Sequence, residues 1–203
     1  MMGFQKRIQN STKFEKELFQ KLEEMGFYVA LNGTEHTHPT FADKLRQSND
    51  PTSLSIRFQP DGVICTNGQT KSAYVEVKAS ENIEKTAYEQ YMKLHNNENI
   101  VLIVFEKFKY AWNFIQHIDL IDGNITVKPF PPTKRFPVDK NGWICPRKAK
   151  HWNNVSGNNA SGTPYKAVNQ QSLLPWNHLG QLKSLLNNTL TTQEIITYSN
   201  KTA

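Results

Sequence analysis

The run Ile100-Val-Leu-Ile-Val-Phe105 is the feature that most constrains how this chain can fold. Six consecutive apolar residues leave no polar face for solvent, so the segment suits a strand at the centre of a sheet covered on both sides. It is the longest aliphatic-aromatic run in the chain, and six residues are too few to cross a bilayer. The preceding sequence supplies elements that could surround it. Between Lys13 and Met25 the apolar residues Phe14, Leu18, Leu22 and Met25 recur at helical spacing, with Ser11 or Thr12 as cap and Gly26 as stop. Phe27 to Leu31 then reads as a strand. Two further strands, Asp61 to Cys65 and Ala73 to Ala79, form a hairpin reversed near Asn67-Gly68. The apolar set Ile83, Ala87, Tyr91 and Leu94 predicts a second helix over Ile83 to Leu94. The order helix, three strands, helix, strand predicts an α/β fold.

At 203 residues the chain suits one domain, or one core with a long appendage. Its 37% hydrophobic and 21% charged residues, with 11 Phe, 7 Tyr and 4 Trp, fit a globular fold better than a disordered, collagenous or coiled-coil chain. Cys65 and Cys145 are far apart and belong to no Cys-x-x-Cys pair, which argues against a disulfide framework and a zinc knuckle. The polar start, Met1-Met-Gly-Phe-Gln-Lys-Arg7, lacks the apolar stretch of a signal peptide, so the expectation is a cytoplasmic protein without membrane contact.

Charge divides the chain. Residues 1–106 hold 12 Lys/Arg and 14 Asp/Glu, whereas residues 107–203 hold 12 and 4, so the net charge of +6 comes entirely from the second half. Lys128, Lys134, Arg135, Lys140, Arg147, Lys148 and Lys150 face one acid, Asp139, and are interleaved with Phe130, Phe136, Trp143 and Trp152. Cations mixed with aromatics suit a surface that neutralises phosphates and stacks on bases, so nucleic acid is the expected partner. The alternative is a solvated loop pinned to the core by its aromatics. Six prolines between Lys128 and Gln170, followed by a stretch rich in Asn, Ser and Gly, predict long loops. An apolar-periodic stretch from Leu173 to Leu186 and a capping box, Thr191-Thr-Gln-Glu194, follow. The expected organisation is a core over 1–118 with an insertion at 32–57, and a basic, aromatic, loop-rich extension over 119–203 packed on it and binding substrate.

The hairpin carries the chemistry. Residues two apart on a strand share a face, so Glu76 and Lys78 point the same way. Closing the turn can bring the Asp61 carboxylate to Glu76, giving two acids and one ammonium. Two carboxylates offer hard oxygens to Mg²⁺, with Mn²⁺ as a substitute, and a neighbouring lysine can orient or help deprotonate an attacking water. These are the parts required for phosphodiester hydrolysis. The plainer reading is a hairpin carrying a Glu-Lys pair.

Pro60-Asp61, fourteen intervening residues, then Glu76-Val77-Lys78 resemble the motif of the PD-(D/E)XK nuclease superfamily, whose core has the same order of elements, αβββαβ, around a mixed central sheet. The resemblance spans about residues 13 to 105. It implies a restriction-endonuclease-like fold in which Asp61 and Glu76 bind metal, Val77 offers its backbone carbonyl and Lys78 assists the nucleophilic water. Members similar to archaeal Holliday-junction resolvases add a Glu on the first helix before a Gly-Phe. Glu15 matches that position here, with Glu17 as the alternative, ahead of Gly26-Phe27. The implied function is Mg²⁺-dependent cleavage of DNA, endonucleolytic rather than exonucleolytic, with Lys134, Arg135, Arg147, Lys148, Lys150 and Trp152 gripping the substrate. A homodimer is open, because many such enzymes cut two strands. A non-catalytic nucleic-acid-binding protein on the same scaffold is the competing class. A complex-assembly module docking through the proline-rich stretch 129 to 137 is a third.

Other residues carry weaker signals. Glu35, His36 and His38 could form a second metal or proton-transfer site, but lack an evident third ligand and read more simply as a polar loop. Gln90 lies on the helix that flanks the site in this superfamily, whereas Tyr91 reads as core packing. Gly162-Thr-Pro-Tyr165-Lys166 is a weak phosphate-turn signal, and Trp112 and Phe114 suit an added strand within Lys109 to His117.

Overall fold

In the computed structural model, residues 2–32, 45, 48, 50–68, 71–123, 138–145 and 163–202 are described, without the side chains of 2–12 and 198–202. The first helix, α1, runs from Met2 to Glu24, beginning well before the expected Ser11 or Thr12 cap. Its end follows the sequence reading. Gly26 adopts φ 82, the Gly26 N–H donates to Glu23 O and the Phe27 N–H to Leu22 O, a double closure that favours glycine in the left-handed region.

Five strands form the main sheet in the order β1 (Tyr28–Leu31), β2 (Gly62–Cys65), β3 (Ala73–Lys78), β5 (Ile100–Phe105), β6 (Ala111–Phe114). All neighbours are antiparallel except β3 and β5, which run parallel, so the sheet is mixed. The parallel pair is joined through α3 (Lys85–Asn96). β5 stands at the sheet's interior as its composition requires, because its alternating side chains serve two cores. Leu102 and Val104 join α1's Leu18, Phe19 and Leu22 on one face; Val101, Ile103 and Phe105 join Ala87 and Tyr91 of α3 on the other.

Several expectations are corrected. Ile83 lies in a short strand, β4 (Asn82–Glu84), and α3 starts after it at Lys85; at the helix entrance the Lys85 N–H donates to Pro164 O rather than to a side-chain cap. β4 pairs with β8 (Tyr165–Val168), which pairs in turn with β7 (Leu120–Ile121), making a second three-stranded sheet. Tyr165 and Lys166 therefore belong to a strand rather than a phosphate-holding turn. The stretch 32–57 contains α2 (Pro51–Arg57), capped where Asp50 accepts the N–H groups of Thr52 and Ser53. An Asx cap followed by proline at the first helical position is a recognised start signal, and Asp50-Pro51 carries it.

The added strand over Lys109 to His117 is confined to β6, with Trp112 and Phe114 fully buried. Leu173 to Leu186 is helical only in part: a 3-10 segment, Trp176–Gln181, leads into α4 (Leu182–Leu186). The expected capping box opens α5 (Thr192–Thr202), where Glu194 Oε2 accepts the Thr191 N–H at 2.7 Å and Thr191 Oγ1 accepts the Glu194 N–H at 3.3 Å. Leu174, Leu179, Leu182, Leu185, Leu186 and Ile195 enter the same apolar cluster as α1. No described helix is long and apolar enough to cross a membrane.

Candidate active site

The hairpin register decides which side chains meet. Gly62 stands opposite Val75 and Val63 opposite Tyr74, a pairing that continues one step outward to set Asp61 beside Glu76. The loop between the strands turns through Gly68 at φ 71, close to the expected reversal. On β3, Ala73, Val75 and Val77 face the α1 side, leaving Glu76 and Lys78 on the α3 side.

All three acids of the motif are nearly inaccessible: Asp61 is 8% exposed, Glu76 5% and Glu15 8%. Asp61 Oδ2 accepts the Val77 backbone N–H at 2.7 Å, which ties the start of β2 to β3. Lys78 Nζ lies 2.5 Å from Glu76 Oε1, its side chain about one-fifth exposed. Burial pushes the Asp61 carboxyl well above the ordinary aspartate range, and the negative charges of Glu76 and Glu15 push the same way; Lys78 and the Val77 N–H only partly offset them. For Lys78, burial favours the neutral amine, but the Glu76 charge and hydrogen bond, then Asp61 and Glu84, outweigh it and raise its pKa. Lys78 is therefore an ammonium at neutral pH, suited to donate to a water or an anionic oxygen rather than to accept a proton.

Glu15 occupies a position that packing would normally give to an apolar residue. With Leu18, Phe19 and Leu22 it completes the i, i+3, i+4, i+7 stripe that α1 buries. A carboxylate on such a stripe was a readable signal. Glu17, the alternative, is turned elsewhere: it accepts the Tyr110 hydroxyl at 3.1 Å and pairs with exposed Lys13 at 3.5 Å. Tyr91 is the residue that sequence reasoning set aside. It belongs to the α3-side core and is 2% exposed, yet its ring lies 5.8 Å from Lys78 Nζ. Gln90, beside it, is partly exposed.

Among the described residues, no three His, Cys, Asp or Glu side chains form a metal cage. Mg²⁺ asks for less, since it binds through one or two carboxylates and keeps several waters. Asp61 and Glu76 supply hard oxygens in a buried cluster where Asp61, Glu76 and Glu15 outnumber Lys78, so the donor set fits such an ion.

Glu35, His36, His38, Lys134, Arg135, Arg147, Lys148, Lys150 and Trp152 lie outside the described residues. Of the basic cluster, Lys140 is described and exposed. Trp143 is no stacking platform. The residue is 7% exposed, its ring packed against Tyr88 at 5.9 Å between centroids and covered by Lys166 Nζ at 5.2 Å. It lines a cleft of about 440 Å³ with Lys85, Tyr88 and Lys166, to which none of Glu15, Asp61, Glu76 or Lys78 contributes.

No protein-family model and no curated protein matches this chain. Among solved structures it is similar to Archaeoglobus fulgidus Hjc, a Holliday junction resolvase from an archaeal hyperthermophile, at 16% identity, with 64% of this chain and 87% of that chain covered and a TM-score of 0.35. A score of that size does not establish a shared topology, and the site stands on its own residues.

Proposed function

We propose that this chain is a metal-dependent deoxyribonuclease on a restriction-endonuclease-like core, endonucleolytic rather than exonucleolytic. The observation that carries the reading is the convergence of Asp61, Glu76 and Lys78 on one hairpin, with Glu15 close enough to raise the Asp61 pKa. Asp61 and Glu76, with Glu15 and the Val77 carbonyl, would hold Mg²⁺ or Mn²⁺. Bound there, the ion would polarise a phosphate oxygen and acidify a water. Lys78 donates from its ammonium to orient the attacking water and to offset charge gathering on the phosphate. Water oxygen bonds to phosphorus, one P–O ester bond breaks, and the products are a phosphomonoester and a free hydroxyl. Nucleic acid, DNA first, is the partner this chemistry requires, and the basic cluster of the second half is the surface proposed to hold it.

The test is cleavage of labelled linear duplex, single strand, RNA and four-way junction with Mg²⁺, Mn²⁺ or EDTA, beside Asp61→Ala. Metal-dependent products, lost in the variant while binding persists, are expected. Undiminished cleavage by Asp61→Ala removes the site assignment. One observation favours the non-catalytic reading: Asp61 and Glu76 already have protein partners in the Val77 N–H and Lys78. Binding of nucleic acid without cleavage under any metal would install that reading instead.

A further inference from the structure

β5 and β6 are antiparallel neighbours with Phe105 opposite Ala111, so residues 106–110 make the connection between them. It begins with a 3-10 turn, Glu106–Phe108, and ends with two residues in the left-handed region, Lys109 at φ 55 and Tyr110 at φ 62. A Cβ makes that conformation costly, and elsewhere the chain gives it to Gly26, Gly68 and Gly142, or to a single residue closing a helix, Glu98 after α3 and Asn188 after α4. Lys109-Tyr110 is the one consecutive pair among the described residues. Tyr110 offsets its cost through its side chain: the hydroxyl donates to Glu17 Oε2 at 3.1 Å, and the ring packs on Trp176 at 5.8 Å between centroids with Lys21 Nζ 5.7 Å from its own. Lys109 has no such return. It is exposed and, among the described residues, makes no ion pair, whereas Lys107 in the same connection pairs with Glu81 at 2.6 Å.

The connection leaves the sheet beside the acids. Lys78 and Phe105 end the parallel strands β3 and β5 and stand opposite each other, so residues 106–110 begin at the end of the sheet where Glu76 and Lys78 lie. The Tyr110 bond to Glu17 fastens the far side of the turn to α1, two residues from Glu15. We infer that Lys109 is a substrate-binding residue, its ammonium held out on this left-handed turn to take a nucleic-acid backbone phosphate flanking the one at the acids, an inference that rests on the nuclease reading of the site. A strand that brings one phosphate to Asp61 and Glu76 carries its neighbouring phosphates along the same end of the sheet, where a cation that the protein leaves without a counter-charge meets them. Such a contact sets the register of the strand without reading its bases. Strain kept at an exposed cation, in a turn that Tyr110 holds against relaxation, fits a side chain aimed at a ligand rather than one serving the fold.

Two substitutions separate charge from backbone. Lys109→Gln removes the ammonium and keeps a left-handed residue with a Cβ; Lys109→Gly removes both. Fluorescence titration of labelled duplex DNA in EDTA at several salt concentrations is the first readout, and thermal melting without DNA is the second. Both variants are expected to bind more weakly than the wild type, with the slope of log affinity against log salt shallower by about 0.9, the share of one phosphate contact. Lys109→Gln should melt with the wild type, whereas Lys109→Gly should melt about 2 °C higher because glycine relieves the left-handed position. With Mg²⁺, both should raise KM for the DNA that the wild type cuts. Wild-type affinity and slope in Lys109→Gln overturn the inference and, where the wild type cuts DNA, leave the nuclease reading standing. Melting of Lys109→Gly below the wild type also overturns it, since the side chain would then serve the fold. A wild type that cuts nothing under any metal overturns both.

Discussion

Asp61 sits in the fold with two like charges acting on it and one backbone N–H accepted, and that arrangement has a measurable cost. Its folded-state pKa is raised, so the folded chain holds this proton more readily than the unfolded chain does. The corresponding stability is fully present below the ordinary aspartate value and is lost as pH rises through the elevated one. Asp61→Asn keeps an oxygen for the Val77 N–H and removes the charge. In metal-free buffer it is expected to raise the thermal midpoint near neutral pH, the gain shrinking as pH is lowered, with each unit of pKa difference worth about 1.36 kcal/mol. Calorimetry from about pH 4 to about pH 8 reads the trend, and a variant no more stable than wild type at the upper end contradicts it. A stabilising substitution at a position that the proposed reaction needs would fit a functional group held at a cost in stability. Asp61, Glu76 and Lys78 were legible because a strand has a period of two and a short hairpin has few registers. The nearness of Tyr91 was not, because on a helix its spacing matches that of any core aromatic, and the Lys78 ammonium beside its ring comes from a different element.

The elements hold these residues through close approaches. Gly62 follows Asp61 directly, and a Cβ placed there would stand 2.7 Å from Phe19 Cζ and 3.1 Å from Ala30 O. Phe19 is buried in the α1 core and Ala30 O is backbone of the neighbouring strand, so neither can withdraw freely. Gly62→Ala is expected to destabilise the protein by about 1 to 3 kcal/mol, as overpacking in a filled core does. It should also impair cleavage beyond that loss, because α1 carries Glu15 and would be pushed from the sheet. Chemical denaturation and cleavage at a temperature where the variant remains folded separate the two effects; an unchanged denaturation midpoint would show that the approach is looser than described. The helices and strands over 13 to 105 were readable because their periodicities are local. β4 was not, since three residues with one buried Ile83 fit a helical pattern equally well and become a strand only through β8, whose partners lie more than eighty residues further on.

For the whole molecule, the division of charge sets the behaviour toward polyanions. A protein that neutralises six to ten phosphates loses about 10³- to 10⁵-fold in affinity between about 50 and 200 mM salt. With twelve Lys/Arg against four Asp/Glu after residue 106, binding of duplex DNA is expected to weaken on that order, and a tenfold or smaller loss in a fluorescence titration would remove the basic half from the interface. That asymmetry was plain in the sequence. The shared core was not, because the periodicity of residues 173 to 186 showed apolar side chains without showing what they cover. They cover α1: Leu179, Leu182, Leu185 and Leu186 lie in one cluster with Leu18, Phe19 and Leu22, and Thr66 Oγ1 at the end of the hairpin donates to Asn187 Oδ1. The consequence concerns synthesis. A chain leaving the ribosome from its N-terminus presents α1 and the hairpin long before the residues that seal them have been made. The α1 face of the sheet therefore cannot close until residues 179–186 have been made, and for that interval the nascent chain carries an open apolar face that a chaperone would have reason to hold.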